Sequence, residues 1–333
     1  MDANYTNTTN VQFVPLFGRV PPWSRQVLSV FIGVAFVLGV PGNCLVVFVK
    51  RKLKQRAVTD YMVLNLAICD LTSLLICAPT FITQFNDIYI LPKELCKLHF
   101  VTLTTVLIAS NMFIAITALE RYVKITRSHS VMLTSTQAMH TWAPVFVFSS
   151  LVSSVLYFGT DSNEAGQCVY IPAGKSIYVV IVTSTAMVVT CISGCIMCFC
   201  YIYIAVYLFR RWQNGVNMGG NGIIAKRRAN TLKTTKVLAL VTFIFFFSSS
   251  LPCIASFSIL KHVPTSETSL VILFFVFRCY FINNCVNPMF YMTLDSRFRQ
   301  MAKEGLTQLF CKHRQKSKQT VVINTINLYS RRK

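Results

Sequence analysis

Seven apolar stretches dominate the chain, at roughly 26–49, 58–83, 97–119, 139–158, 176–209, 237–260 and 269–292. Each is long enough to cross a bilayer, whose hydrocarbon core takes about 20 residues of helix. That core holds no water, so every backbone N–H and C=O inside it must be satisfied by the chain itself, and a helix does this within one segment. The expected fold class is therefore an all-α membrane protein, a seven-transmembrane helix bundle. Composition agrees: 54% of the 333 residues are hydrophobic and 13% are charged, where a soluble domain has about a quarter charged. The fifth stretch exceeds what a span needs, so its inner end is expected to project into the cytoplasm. Residues 1–24 lack an apolar core, so no cleavable signal peptide is expected.

The net charge of +21 would suit a nucleic-acid binder, but its distribution does not. With the N-terminus outside, about 25 of the 32 Lys and Arg fall on one side, the positive-inside bias. The inner clusters are Lys50, Arg51, Lys52, Lys54 and Arg56; Arg210 and Arg211; Lys226, Arg227, Arg228, Lys233 and Lys236; and a tail ending Arg331, Arg332, Lys333. This predicts a multi-pass plasma-membrane protein with an extracellular N-terminus and no nucleic-acid partner. Asn4 and Asn7 head two glycosylation sequons on the outer side.

The same topology sorts the thirteen cysteines. Only Cys96 and Cys168 fall at the outer surface, where oxidising conditions predict a disulfide between them. The others lie at membrane depth or inside, and no spacing among them resembles a zinc site.

Asp70 interrupts the second stretch within "LNLAICDLTSLL". An acid at the bilayer centre costs about 2.5–3.5 kcal/mol on insertion scales, and such residues face the bundle interior and carry a role. The blander reading is a hydrogen-bonded packing residue. Asn43, Ser110, Asn283, Asn284 and Asn287 offer partners from other helices. Pro288 breaks the helical ladder beside them, freeing carbonyls that side chains or water must satisfy. An acid, a hydroxyl and several amides supply the oxygen ligands that suit a hard cation. Sodium is the expected allosteric ligand, with Asp70 as its charge, Ser110 and Asn283 as ligands and Asn43 and Asn287 in support. No catalytic cofactor is expected.

Near the inner end of the third stretch the chain reads "ASNMFIAITALERYVKI", an apolar run that stops on an adjacent acid and base. Further single residues recur along the chain: Gly42-Asn43, Leu66 and Asp70, Cys96, Glu120-Arg121-Tyr122, Trp142, Cys168, Tyr201, Phe246 and Pro252, and Asn287-Pro288-x-x-Tyr291. In this order, on seven spans, they resemble a rhodopsin-like (class A) G-protein-coupled receptor, subfamily unassigned. The resemblance implies a cell-surface receptor that couples an extracellular ligand to heterotrimeric G-protein activation, and no enzyme activity. It implies that Glu120 holds Arg121 in the resting state. Arg121, with Tyr122, Tyr201 and Tyr291, then forms the G-protein-coupling end once the sixth helix swings outward.

Four segments follow: an extracellular N-terminus at 1–24, the bundle at 25–294, an amphipathic juxtamembrane helix at 295–311, and a basic cytoplasmic tail at 312–333. In the third segment Asp295 is the expected N-cap. Phe298, Met301, Ala302, Leu306, Leu309 and Phe310 form an apolar stripe for the inner leaflet. Cys311, just beyond it, is a candidate palmitoylation site. The third inner loop holds a glycine-rich linker, "NGVNMGGNG", and then "AKRRANTLKTTK", a run suited to anionic lipid or the G protein.

Three positions depart from the family pattern. Ser250 stands where a Trp is usual, the fifth helix lacks its proline, and Leu232 occupies a place where some members have an acid facing Arg121. Without that acid, signalling in the absence of ligand is expected. The ligand is less constrained. Leu103 takes the position of the amine-receptor aspartate, and Phe281 that of the opsin lysine. Both of those ligand classes are therefore disfavoured. Leu103, Phe257, Phe277, Arg278 and Phe281 are the candidate pocket residues, with Phe81 and Phe85 as further walls. Arg278 either meets an acidic ligand group or snorkels outward. A peptide or a small lipid-like molecule fits this lining. The rival reading is a seven-helix transporter, which should show an internal repeat; none is seen.

Overall fold

The computed structural model describes residues 20–53, 56–86, 92–127, 133–162, 168–170, 177–216, 240, 243–244, 246–255, 266–294 and 298–307. Six helices among them are long and apolar enough to cross a membrane: α1 (Pro22–Lys52), α2 (Val58–Phe85), α3 (Lys93–Thr126), α4 (Ser135–Phe158), α5 (Ile177–Val216) and α7 (Glu267–Thr293). Between α5 and α7, α6 is described over Phe246–Ala255, within the expected span 237–260. A short helix, α8, follows at 298–307.

Local chemistry sets the ends. Pro22 opens α1, where a missing N–H costs nothing, and Lys50, Arg51 and Lys52 close it against the negative end of the helix dipole. Asp60 bonds the Ala57 N–H at 2.9 Å and secures the start of α2. Thr134 and Gln137 form a reciprocal capping box at the start of α4. Ser266 caps α7 through the Ser269 N–H. Within α2 a π turn spans Ser73–Cys77. Pro79 stands two residues beyond its end; it has no N–H and crowds the carbonyl four residues back, and a wider turn relieves that conflict.

α3 is the central helix, packed against α2, α4 and α5, while α1 lies against α2 and α7. The α1–α7 contact is close because Gly42 has no side chain. A Cβ there would meet the Pro288 ring at 2.7 Å, and small residues let membrane helices approach in this way. Between α4 and α5, β1 (Thr160–Ser162) pairs antiparallel with β2 (Cys168–Tyr170). The disulfide ties Cys168 of β2 to Cys96 in the first turn of α3, with the Cα atoms 5.3 Å apart.

α8 packs on the bundle with Phe298, Ala302 and Gly305 inward, and Gly305 rests against Phe48 of α1. Leu306 is exposed, as is Lys303. Arg299 donates to the Thr293 carbonyl at 2.7 Å and so satisfies the end of α7. Asp295, Leu309, Phe310 and Cys311 lie outside the described residues, as do Asn4, Asn7, Phe257, Leu232 and the third-loop basic run.

Candidate functional site

Three groups of buried polar residues divide the bundle: a midplane layer, the Glu120 end and the disulfide end. In the midplane, Pro288 cannot donate to the Asn284 carbonyl four residues earlier. Asn43 of α1 donates instead, Nδ2 to O at 2.6 Å, and also reaches the Gly39 carbonyl at 3.0 Å. Asn284 donates through Nδ2 to the Ser73 hydroxyl in the π turn at 2.8 Å. Asn287 donates to Asp70 Oδ2 at 3.2 Å. Four of the five expected midplane residues are almost fully enclosed: Asn43, Asp70, Asn283 and Asn287 are at most 4% exposed. Ser110 is buried as well.

The donor set of this layer suits a hard cation. Asp70 is a buried carboxylate that accepts one hydrogen bond among the described residues. On α1 and α3, Asn43 Oδ1 and Asn111 Oδ1 are buried without a hydrogen-bond partner. An anion and spare oxygens together fit sodium by ligand type.

At the Glu120 end the expected contact is absent. Glu120 does not pair with Arg121. It accepts from the Thr59 hydroxyl at 3.1 Å and lies 4.0 Å from Lys124 Nζ. Consecutive helical residues point about 100° apart, whereas residues four apart share a face, so Lys124 is the neighbour that Glu120 can reach. Arg121 is half-buried and its Nε has no hydrogen-bond partner. Tyr122 packs on Tyr203 and Phe199 of α5, with ring centroids 5.1 Å and 5.8 Å away. Tyr201 lines a cluster with Leu66, Ile114 and Phe246, and Tyr291 rests on Phe298 of α8 at 5.9 Å. The expected coupling residues therefore sit on three separate helices around one end of the bundle. Nearby, Lys50 and Asp60 form a largely buried ion pair at 2.6 Å.

Phe246 of α6 rests directly on Gly194 of α5, where a Cβ would fall 2.0 Å from the ring. A glycine of α5 thus takes the ring of α6. Gly194 was not among the expected site residues; its only signal is a lone glycine in an apolar helix.

At the disulfide end, Leu103 and Phe281 share one cluster with Phe81, Phe85, Phe274 and Tyr280. Arg278 turns into that cluster and is 7% exposed, so it does not snorkel. Its guanidinium lies over the rings of Phe81, Phe274 and Phe85, at 4.8, 4.9 and 5.1 Å from the centroids. His99 meets the Phe81 ring edge-on at 4.8 Å. Phe277 is half-buried and lies outside this cluster. Sequence reasoning missed His99, Gln84, Phe274 and Thr59. The first two had a signal: each is a polar residue in the outer half of an otherwise apolar helix, three positions after Cys96 and Phe81 respectively.

A family profile described as "7 transmembrane receptor (rhodopsin family)" matches residues 42–291. Galanin receptor type 1 of Rattus norvegicus is 27% identical over 305 residues, covering 87% of this chain and 84% of the relative. Its counterpart in Homo sapiens is 28% identical over 314 residues with the same coverage. Somatostatin receptor type 5 of Rattus norvegicus is 28% identical over 311 residues, covering 87% of this chain and 81% of the relative. The profile match takes in most of the chain, from Gly42 through Tyr291, and the apolar helices and the Cys96–Cys168 bridge accord with it. The chain therefore belongs to the rhodopsin family of seven-transmembrane receptors.

Proposed function

We propose that this receptor sits in the plasma membrane with its N-terminus outside and couples an extracellular peptide or small lipid-like ligand to a heterotrimeric G protein. The observation that carries the reading is the state of Arg121. It stands at the end of the bundle flanked by the basic clusters, apart from Glu120, with its buried Nε lacking a hydrogen-bond partner. A guanidinium placed this way offers donors to an incoming chain. In this reading Glu120 acts through Thr59, holding α3 to α2, and Tyr122, Tyr201 and Tyr291 line the surface that opens as α6 moves. Sodium at Asp70 favours the resting state. Glycans at Asn4 and Asn7, a palmitoyl chain at Cys311 and the basic third loop complete the contacts with the outside and with membrane lipid.

The peptide half of the ligand reading leans on the relatives named for galanin and somatostatin. The family match gives no support to a transporter. The test is ligand-free G-protein activation in cells, normalised to surface receptor. Wild type gives a signal, Leu232→Glu lowers it a few-fold by offering Arg121 an acid worth about 0–1 kcal/mol, and Arg121→Ala abolishes it at unchanged surface expression. Full signalling by Arg121→Ala would remove the proposed mechanism.

A further inference from the structure

Two buried residues at the disulfide end keep unused polar atoms. Gln84 and His99 are each 3% exposed. Gln84 Nε2 and both ring nitrogens of His99 have no hydrogen-bond partner. A buried polar atom without a partner is costly, and native structures keep few of them. Phe81 brings the two residues together: His99 meets its ring edge-on at 4.8 Å, and Gln84 stands three residues along α2 on the same face. Phe85 and Phe274 continue the aromatic wall, with ring centroids 6.4 Å apart. Arg278 closes the cluster and is already engaged. Its guanidinium lies over these three rings and donates to the Phe274 carbonyl at 3.4 Å. The two neutral residues therefore set what the site can take.

Their unused atoms form a mixed set. An amide N–H₂ only donates. A neutral imidazole donates through one nitrogen and accepts through the other. Those two nitrogens flank one ring carbon and point apart, so a single hydroxyl cannot meet both. An ester or a carboxylate offers acceptors alone. A polypeptide backbone offers both kinds, one N–H and one C=O per residue, spaced along a chain. The phenylalanine wall takes an apolar or aromatic side chain beside them. Ligand sites have this make-up, a mostly apolar lining with a few polar groups that fix orientation. The cluster also sits where a ligand would enter. Gln84 is in the last turn of α2, and His99 is three residues along α3 from the disulfide.

We propose that Gln84 and His99, on the Phe81–Phe85–Phe274 wall, form a subsite for the backbone amides of a peptide ligand at an apolar or aromatic residue. This deepens the receptor reading by choosing the peptide half of its ligand class, and rests on that reading only for the side from which ligand arrives. Gln84 donates to a ligand carbonyl, and His99 exchanges one donated and one accepted hydrogen bond with the same backbone. No covalent step is involved.

The test uses the full chain, purified in lipid nanodiscs, with three probes at matched millimolar concentrations. Thermal unfolding is followed, because a ligand that binds the folded state raises its melting temperature. N-acetylphenylalaninamide carries two amides and a phenyl ring. N-acetylphenylalanine has a carboxylate in place of the terminal amide, and 3-phenylpropyl acetate keeps the ring but only accepts. The diamide raises the wild-type melting temperature by a few degrees, the acid by less than half as much, and the ester not at all. His99→Phe abolishes the diamide shift, and Gln84→Leu at least halves it. Without probe both variants melt at or above the wild-type temperature, since each removes a buried group that lacks a partner. Equal protection by the diamide and either other probe overturns the proposal, as does a diamide shift that survives in both variants. Lower melting of both variants without probe overturns it too, by assigning them a packing role. No shift with any probe also overturns it, by leaving the nitrogens to ordered water. No G protein is present, so a failure of coupling and a failure of this subsite are read separately.

Discussion

The midplane and the disulfide end are both buried polar layers, yet they leave opposite atoms unused. In the midplane the amides direct their N–H groups across helices, from Asn43 to Asn284 and from Asn284 to Ser73. What is left over is carbonyl oxygen on Asn43 and Asn111, and the Asp70 carboxylate accepts only from Asn287 among the described residues. At the disulfide end what is left over is nitrogen, on Gln84 and His99, beside the Arg278 guanidinium. Spare acceptors next to an anion suit a cation. The two layers also differ in what the protein itself gains from them. The midplane bonds tie helices together, whereas the unused donors of the disulfide end tie nothing.

Substitutions that cost stability should therefore cluster away from the disulfide end. The largest cost is expected beyond the midplane, at Lys50→Met. It strands Asp60, whose side chain is 17% exposed, and removing one partner of a buried pair costs about 3–5 kcal/mol. Thermal unfolding should show this, and adding Asp60→Leu should restore much of the loss. Asn43→Leu comes next. It leaves the Asn284 carbonyl with neither a helical nor a side-chain donor, a cost of about 1–3 kcal/mol. If Asn43→Leu melts no lower than wild type while Gln84→Leu does, the contrast between the layers is inverted. The smallest effect concerns the ion. Exchanging sodium for choline should lower the wild-type melting temperature by the equivalent of about 1 kcal/mol, and Asp70→Asn should be indifferent to the exchange. Equal sensitivity in both proteins would leave the leftover oxygens without a ligand.

Much of the fold was legible because hydrocarbon imposes one rule on every span. Apolar runs of sufficient length gave six of the spans seen as full helices, and charge asymmetry singled out the two cysteines that are joined. Pro288 announced a freed carbonyl, and the structure supplies its donor in Asn43. The candidate site was legible only in part. The resemblance implied that Glu120 holds Arg121, whereas Glu120 accepts from Thr59 of another helix. Gln84 and His99 were hidden because a single polar residue in an apolar run does not say whether its side chain finds a partner. That depends on how three helices meet, and the phenylalanines that enclose the pair come from α2 and α7.

The hydrogen bond that α7 surrenders at Pro288 has a mechanical consequence. Asn43 takes the carbonyl of Asn284 from one residue beyond Gly42, and Gly42 itself rests on the proline ring. Donor, acceptor and steric stop all lie within one helical turn. Sliding α7 along α1 by a single residue would break the bond and drive the ring into a neighbouring side chain. The two helices form the fixed wall of the bundle. The contact of α6 with α5 is of another kind: at Gly194 the Phe246 ring lies in a seat that has no Cβ on the α5 side. A bundle with one keyed wall and one smooth bearing has a built-in direction in which to open.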